Sequence, residues 1–270
     1  MQYEFKRFGE GADVLSPSIQ LILNGENLNG MFNSSDFSFT VTAVAGRGRI
    51  SHNVDSISVT GSHKGIVKRR TLSPRTIEVV AIVKAATNEV YREKMSELMF
   101  KLHNKTVNSL RFTDESSYEY FATFDTLTDE DEKSNRQRIV LSFTCHDPFK
   151  YKNSETIQYD NSAVLNIDTH LPVVADEIRI TFNNATDARE FTLSNVTTDK
   201  KIVYRNDVGT AVTVINQSDM YLGSSVGTNR INGLDLTFSD FVSFRINKGD
   251  QLVVQPTPSN IQITYRGVSL

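Results

Sequence analysis

Apolar and polar residues alternate along much of this chain. Phe37, Phe39, Val41 and Ala43 are separated by Ser38, Thr40 and Thr42, and Ile139, Leu141 and Phe143 by Val140 and Ser142. Ile178, Ile180 and Phe182, then Val242, Phe244 and Ile246, then Ile261, Ile263 and Tyr265 repeat the pattern. A period of two predicts strands with one buried and one wet face, as in antiparallel sandwiches and barrels. The long apolar strands divided by helices that a parallel sheet needs are absent. The expected fold class is mainly β.

One segment, about 88–104, has the helical period instead. Tyr91, Met95, Leu98, Met99 and Leu102 fall on one stripe, so this helix should lie on a sheet. Thr87 or Asn88 can cap it, and Glu89 suits the positive end of its dipole. Phe100 points away from the stripe. Either a loop of the same chain covers it or it touches a neighbouring subunit.

A meander follows: Leu110-Arg111-Phe112, a turn at 114–117, a strand from Tyr118 to Phe124, a polar stretch from Asp125 to Asn135, and a strand from Arg136 to Thr144. The run Asp129, Glu130, Asp131, Glu132 lacks the spaced ligands and the glycine of a calcium loop, and is read as a solvated hairpin tip. Asp147-Pro148 stops the preceding strand. Two domains are expected, 1–154 and 155–270, with the polar stretch from Lys150 to Asn161 as linker. The second should be all strand, near 163–167, 176–183, 189–195, 201–205, 210–215, 241–247, 251–255 and 260–267. That spacing suggests a jelly-roll-like sandwich.

Composition narrows the function. With 39% hydrophobic residues the chain has material for cores, and a net charge of −3 lacks the basic excess of a nucleic-acid coat. The balance is uneven: residues 155–270 hold 9 Lys/Arg against 13 Asp/Glu, the remainder 20 against 19. Cys145 is the one cysteine, so no intrachain disulfide or Cys-based zinc site is expected. The opening Met1 to Phe8 has no apolar stretch, and no run approaches 18 apolar residues. Folding in a reducing cytosol, without membrane insertion, is expected.

The patterns of catalysis do not assemble. There is no GxSxG, the five histidines fall at no metal spacing, and adjacent Cys145 and His146 would point to opposite faces of a strand. No catalytic residue, metal or cofactor is expected. A sandwich domain could bind host-surface glycans in the manner of an adhesin. Without tryptophan, the stacking ring would have to be Tyr204, Tyr221 or Tyr265. The most unusual charge feature is Lys64-Gly65-Ile66-Val67-Lys68-Arg69-Arg70. It reads as a hairpin arm that is solvated, meets an acidic neighbour or nucleic acid, or pairs with another chain's sheet edge. It has no interleaved aromatics to stack bases.

The order of these elements resembles a known family. The Phe37-to-Val44 strand, Gly46-x-Gly48, Gly61, Arg69-Arg70-Thr71, Arg75-Thr76-Ile77-Glu78-Val79-Val80 and the single helix come first. Leu110-Arg111-Phe112-Thr113-Asp114-Glu115, Tyr118-x-Tyr120 and the closing Cys145-His146-Asp147-Pro148-Phe149 follow. Over about 40–155 this series is similar to the distal tail proteins (Dit) of long-tailed phages. Asn247-Lys248-Gly249-Asp250 and Tyr265-Arg266-Gly267-Val268 fit less specifically, and the first 36 residues fit poorly. The resemblance implies an N-terminal β-sandwich with one helix, which closes a ring of six copies, and an outward galectin-like C-terminal sandwich. It implies a virion protein at the tail tip, without enzymatic activity. Its neighbours would be the tail tube protein, the tail-associated lysin or fibre hub, and a receptor-binding protein, with DNA crossing the lumen unbound. Candidate subunit contacts are Lys68, Arg69, Arg70, Phe100, Asp129, Glu130, Asp131 and Glu132. The alternative remains an adhesin whose second sandwich binds glycans.

Overall fold

The computed structural model describes residues 19–58, 65–129, 134–160, 162–206, 209–224 and 227–270. The fold is mainly β, and the chain divides into two compact units at Lys150/Tyr151.

The first unit runs β1 (Leu21–Leu23), β2 (Glu26–Asn27), α1 (Leu28–Phe32), β3 (Phe37–Ala45), β4 (His52–Ser58), β5 (Gly65–Leu72), β6 (Arg75–Ala85), α2 (Asn88–His103), β7 (Asn108–Phe112), β8 (Tyr118–Asp129) and β9 (Arg136–Cys145). Strands β3, β6, β9 and β8 form one antiparallel ladder, and β2, β1, β7 and β8 a second. Strand β8 serves both: Tyr120 and Ala122 pair with β7, whereas Thr123 to Asp129 pair with β9. The alternating residues Phe37, Phe39 and Val41, Ile77 to Val83, and Ile139 to Phe143 meet in one core.

The alternation in β3 breaks where the sequence does not announce it. A bulge between Val41 and Ala43 shifts the register, so Ala43 is exposed and Val44 turns to the core. One extra residue reverses every later side chain on a strand. Ala43 was expected inward from the plain period of two.

Helix α2 lies on this core through Tyr91, Leu98 and Leu102, with Met95 and Met99 partly covered. Thr87 caps it, its hydroxyl accepting from the Val90 amide at 3.2 Å. The Tyr91 hydroxyl donates to the buried Gln137 of β9, which fixes the helix against the sheet. A second helix, α1, was not expected. It is one short turn held by its Asn27 cap and by burial of Leu28 and Phe32. Five residues are too few for a period to emerge.

The second unit holds β10 (Lys150–Tyr159, which starts at the boundary), β11 (Ser162–Val164), β12 (Glu177–Thr181), β13 (Glu190–Asn195), β14 (Lys200–Arg205), β15 (Val212–Asn216), β16 (Tyr221–Gly223), β17 (Gln251–Gln255) and β18 (Asn260–Ser269). One sheet has the order β16-β15-β12-β18-β10 and the other β11-β17-β13-β14. Ile178, Ile180, Ile261 and Ile263 are buried from the first, and Phe191, Leu193, Ile202 and Leu252 from the second. Phe182, the residue after β12, meets Phe191 at 5.6 Å between ring centres.

Two sequence expectations fail here. The stretch 150–161, read as linker, is largely the strand β10, whose polar side chains hide the period. The strand expected at 241–247 is a 3-10 turn, Phe241–Ser243, followed by a single bridge between Ile246 and Val173. The buried Gln217 amide donates to the Phe241 and Phe244 carbonyls, so a side chain does there what a neighbouring strand would do.

Candidate interaction surfaces

The basic segment forms a hairpin. Strands β4 and β5 pair only with each other among the described residues, and β4 is exposed along its whole length. Asp55 faces Arg69 and Val54 faces Arg70, while a register shift leaves Lys68 as the extra residue of a bulge. The Arg70 guanidinium lies 3.3 Å from the His52 ring. Ile57 and Ile66 stand opposite each other, at 41% and 59% exposure; Val54 and Val67 are 54% and 60% exposed. An isolated two-stranded ribbon is marginal in water, and this one shows apolar side chains on both faces.

The root of the hairpin is closely braced by contrast. Gly46 leaves β3 at φ +90°, and a Cβ there would stand 1.9 Å from the Thr76 carbonyl oxygen. Only glycine fits. Arg47 then makes a two-pronged bond to Asp114 at 2.9 and 2.7 Å and lies 4.9 Å over the Phe112 ring. Glu115 receives Lys150 and the Tyr120 hydroxyl, each at 2.8 Å. Burial and then the Glu115 bond push the Tyr120 hydroxyl pKa up. Beneath them the buried Arg75 donates to the Arg47 carbonyl at 2.7 Å and stacks on Tyr120 at 5.7 Å. A cleft of about 370 Å³ opens between Arg47, Gly48, Asp114, Glu115 and Lys150. Its charges are paired, which suits a brace better than a reactive centre.

On α2, Phe100 is 70% exposed, and no described loop covers it. Of the acidic run, Asp129 ends β8, whereas Glu130, Asp131 and Glu132 lie outside the described residues. In the second unit the Tyr204 and Tyr265 rings are buried, so neither offers a face to a sugar arriving from solvent. The Tyr221 hydroxyl is held by the Ser224 carbonyl at 2.6 Å. A polar cleft of about 410 Å³ lies on the outer side of the five-stranded sheet, lined by Ser154, Asp176, Glu177, Asn216, Ser218, Thr264 and Arg266, with no aromatic ring. Groups of three or more acidic, His or Cys side chains able to hold a metal are absent among the described residues. No helix of the described residues is long and apolar enough to cross a membrane.

Residues 33–145 match the family model of the phage tail protein RIFT-related domain. The matched segment runs from the end of α1 to Cys145 and contains the hairpin, its root and α2.

The particular relative is the distal tail protein of Bacillus phage SPP1. The chain is 28% identical to it over 206 residues, 75% of this chain and 79% of that one. The crystal structure of SPP1 Dit, described there as a hub of the adsorption apparatus in phages of Gram-positive hosts, has the same fold. It aligns with a TM-score of 0.75 at 22% identity, covering 92% of this chain and 98% of that one. The chain thus resembles the distal tail proteins in sequence and shares their fold.

Proposed function

We propose that this chain is a structural distal tail protein, the baseplate hub at the tail tip of a long-tailed phage. Six copies close a ring through the first unit. The tail tube protein joins one side, the tail-associated lysin or fibre hub the other, and DNA passes through the lumen without specific binding. The second unit, a galectin-like sandwich in this reading, faces outward, where a receptor-binding protein can attach. Similarity to the SPP1 protein over 206 residues supports the identity of the particle.

The observation that carries the ring is the β4–β5 hairpin. It stands on a braced root, has no strand partner in its own chain among the described residues, and exposes four β-branched apolar side chains. A closed ring needs two different surfaces on each subunit. The arm with Lys68, Arg69 and Arg70 is one. The acidic run at Asp129 to Glu132 supplies the opposite charge on the other, and Phe100 adds an apolar contact.

Mass in solution, with negative-stain imaging, tests this reading. A ring of six is expected, weakened when Lys68, Arg69 and Arg70 are all changed to Glu. A monomer at every concentration, with this chain also missing from purified phage particles, would overturn it.

A further inference from the structure

The segment 234–244 of the second unit has no task in the ring. It runs along the free edge of β14 and closes it. The Asp235 amide donates to the Val203 carbonyl at 2.9 Å, and the Ser239 hydroxyl accepts from the Val203 amide at 2.8 Å. The Asp240 amide donates to the Lys201 carbonyl at 2.7 Å, and its carboxylate accepts from the Lys201 amide at 3.3 Å. Closing an edge in this way prevents unwanted strand pairing. Leu234, Phe241 and Phe244 anchor the segment in the core.

Edge closure does not explain the outer side of the same segment. Leu236 is 83% exposed, Phe238 52% and Val242 72%. Three large apolar side chains stand exposed within seven residues, on a backbone hydrogen-bonded at both ends, where Ser or Thr would close the edge as well. The surrounding charge is also distinctive. Asp235 pairs with Arg205 at 3.2 Å and Asp240 with Lys200 at 2.6 Å. Lys201, above the Phe238 ring at 5.7 Å, and Arg245, bound to the Val242 carbonyl, have no carboxylate partner among the described residues. These two cations rim the patch on a unit whose overall charge is negative.

We propose that this patch is a docking site for another tail protein, which presents a short apolar segment flanked by Asp or Glu. Leu236, Phe238 and Val242 form its dry centre, and Lys201 and Arg245 its charged rim. The rim argues for an acidic partner, and the hydrogen-bonded backbone argues for protein rather than a fluid lipid surface. The proposal rests on the tail-hub reading and names the site through which the outer unit would hold a neighbour.

The test is photo-crosslinking in assembled phage particles, with benzoylphenylalanine in place of Phe238. The expected product joins position 238 to a different tail protein, in a peptide with apolar residues beside Asp or Glu. Lys201→Glu should lower its yield about tenfold, since charge at the rim sets complementarity. Leu236→Ser with Val242→Ser should lower it at least as far without changing the melting temperature, because both side chains are exposed. Particles that contain this chain but give no cross-link, or a cross-link only to another copy of it, would overturn the docking site and leave the hub reading standing. Binding of the purified chain to anionic phospholipid vesicles, abolished by Leu236→Ser, would also overturn it. Particles that lack this chain would overturn the hub reading, and the docking site with it.

Discussion

Replacing Ile57 and Ile66 together by Ser separates the stability of the single chain from that of the assembly. In the isolated chain these residues are 41% and 59% exposed, and their strands pair only with each other among the described residues. Their contribution to the fold is small, so the change in unfolding free energy should stay within about 0.5 kcal/mol, as for other surface positions. The assembly is different. The exposed fractions of Val54, Ile57, Ile66 and Val67 together equal about two whole side chains, and burying a Val or Ile is worth roughly 1.5–3 kcal/mol. Full coverage would therefore stabilise each contact by about 3–6 kcal/mol, before the costs of association. Ile57 and Ile66 account for about half, so the double variant should weaken each contact by roughly 10- to 100-fold. Sedimentation velocity over a concentration series would show the ring giving way to smaller species, with unchanged thermal melting. Unchanged assembly would refute burial of this face between subunits. A clear loss of monomer stability would show that the hairpin packs on its own domain.

Three further outcomes follow from the geometry. Gly46→Ala combines a positive φ with a Cβ 1.9 Å from the Thr76 carbonyl oxygen, and should cost about 3 kcal/mol or more, whereas Gly25→Ala, at φ +86° in open space, should cost only about 1–2 kcal/mol; urea titrations compare the two. Leu98→Ala removes a fully buried side chain and should cost about 2–5 kcal/mol, while Phe100→Ser, on the same helix but 70% exposed, should stay within about 0.5 kcal/mol. Burial, opposed by Arg75, raises the Cys145 thiol to about 11 from 9.0, so at pH 8 it should react with a thiol reagent far more slowly in the folded chain than in urea. The stability linked to that thiol is fully present below pH 9 and lost as pH rises through about 11. Cys145→Ala should flatten the alkaline slope, and a slope left unchanged would contradict the assignment.

The sequence was most legible where one strong signal sufficed. Helix α2 was readable because five apolar residues kept the helical period beside a Thr87 cap. Strands β6 and β9 were readable because both are long and alternate, although their pairing was not. Elements whose stability comes from elsewhere were hidden. Strand β10 is polar, and its place is given by pairing with β18. The turn at 241–243 imitates a strand because Val242, Phe244 and Ile246 alternate, but Val242 is 72% exposed, Phe241 is buried instead, and the buried Gln217 amide holds the Phe241 and Phe244 carbonyls. A single Gln 24 residues away gives no local sign of this. The bulge in β3 leaves no mark either, since Thr42 and Ala43 suit either face. Among the candidate sites, the basic hairpin could be picked out by its charge. The patch at Leu236, Phe238 and Val242 could not, because exposed apolar residues look like core residues until a fold assigns their direction.

The charged network at Arg47 was invisible for a related reason, and it bears on how the hairpin works. Its members come from positions 47, 75, 114, 115, 120 and 150, and no window of sequence contains them. A surface ion pair contributes little by itself. Here, however, Arg47 is held by two oxygens of Asp114, Glu115 is held by Lys150 and Tyr120, and Arg75 grips the Arg47 carbonyl from below. The consequence is mechanical more than thermodynamic. Gly46 sets the direction in which the chain leaves β3, and the network fixes the next residue from three sides. Among the described residues the arm beyond pairs with no other strand, while its root is tied down by these bonds. An arm with a fixed root loses little orientational freedom when it meets a neighbour, so more of the few kcal/mol from its four apolar residues remains to hold the contact. Arg47→Ala should therefore weaken assembly even though Arg47 lies outside the arm, and an assembly indifferent to that change would mean that the root does not hold the arm in place.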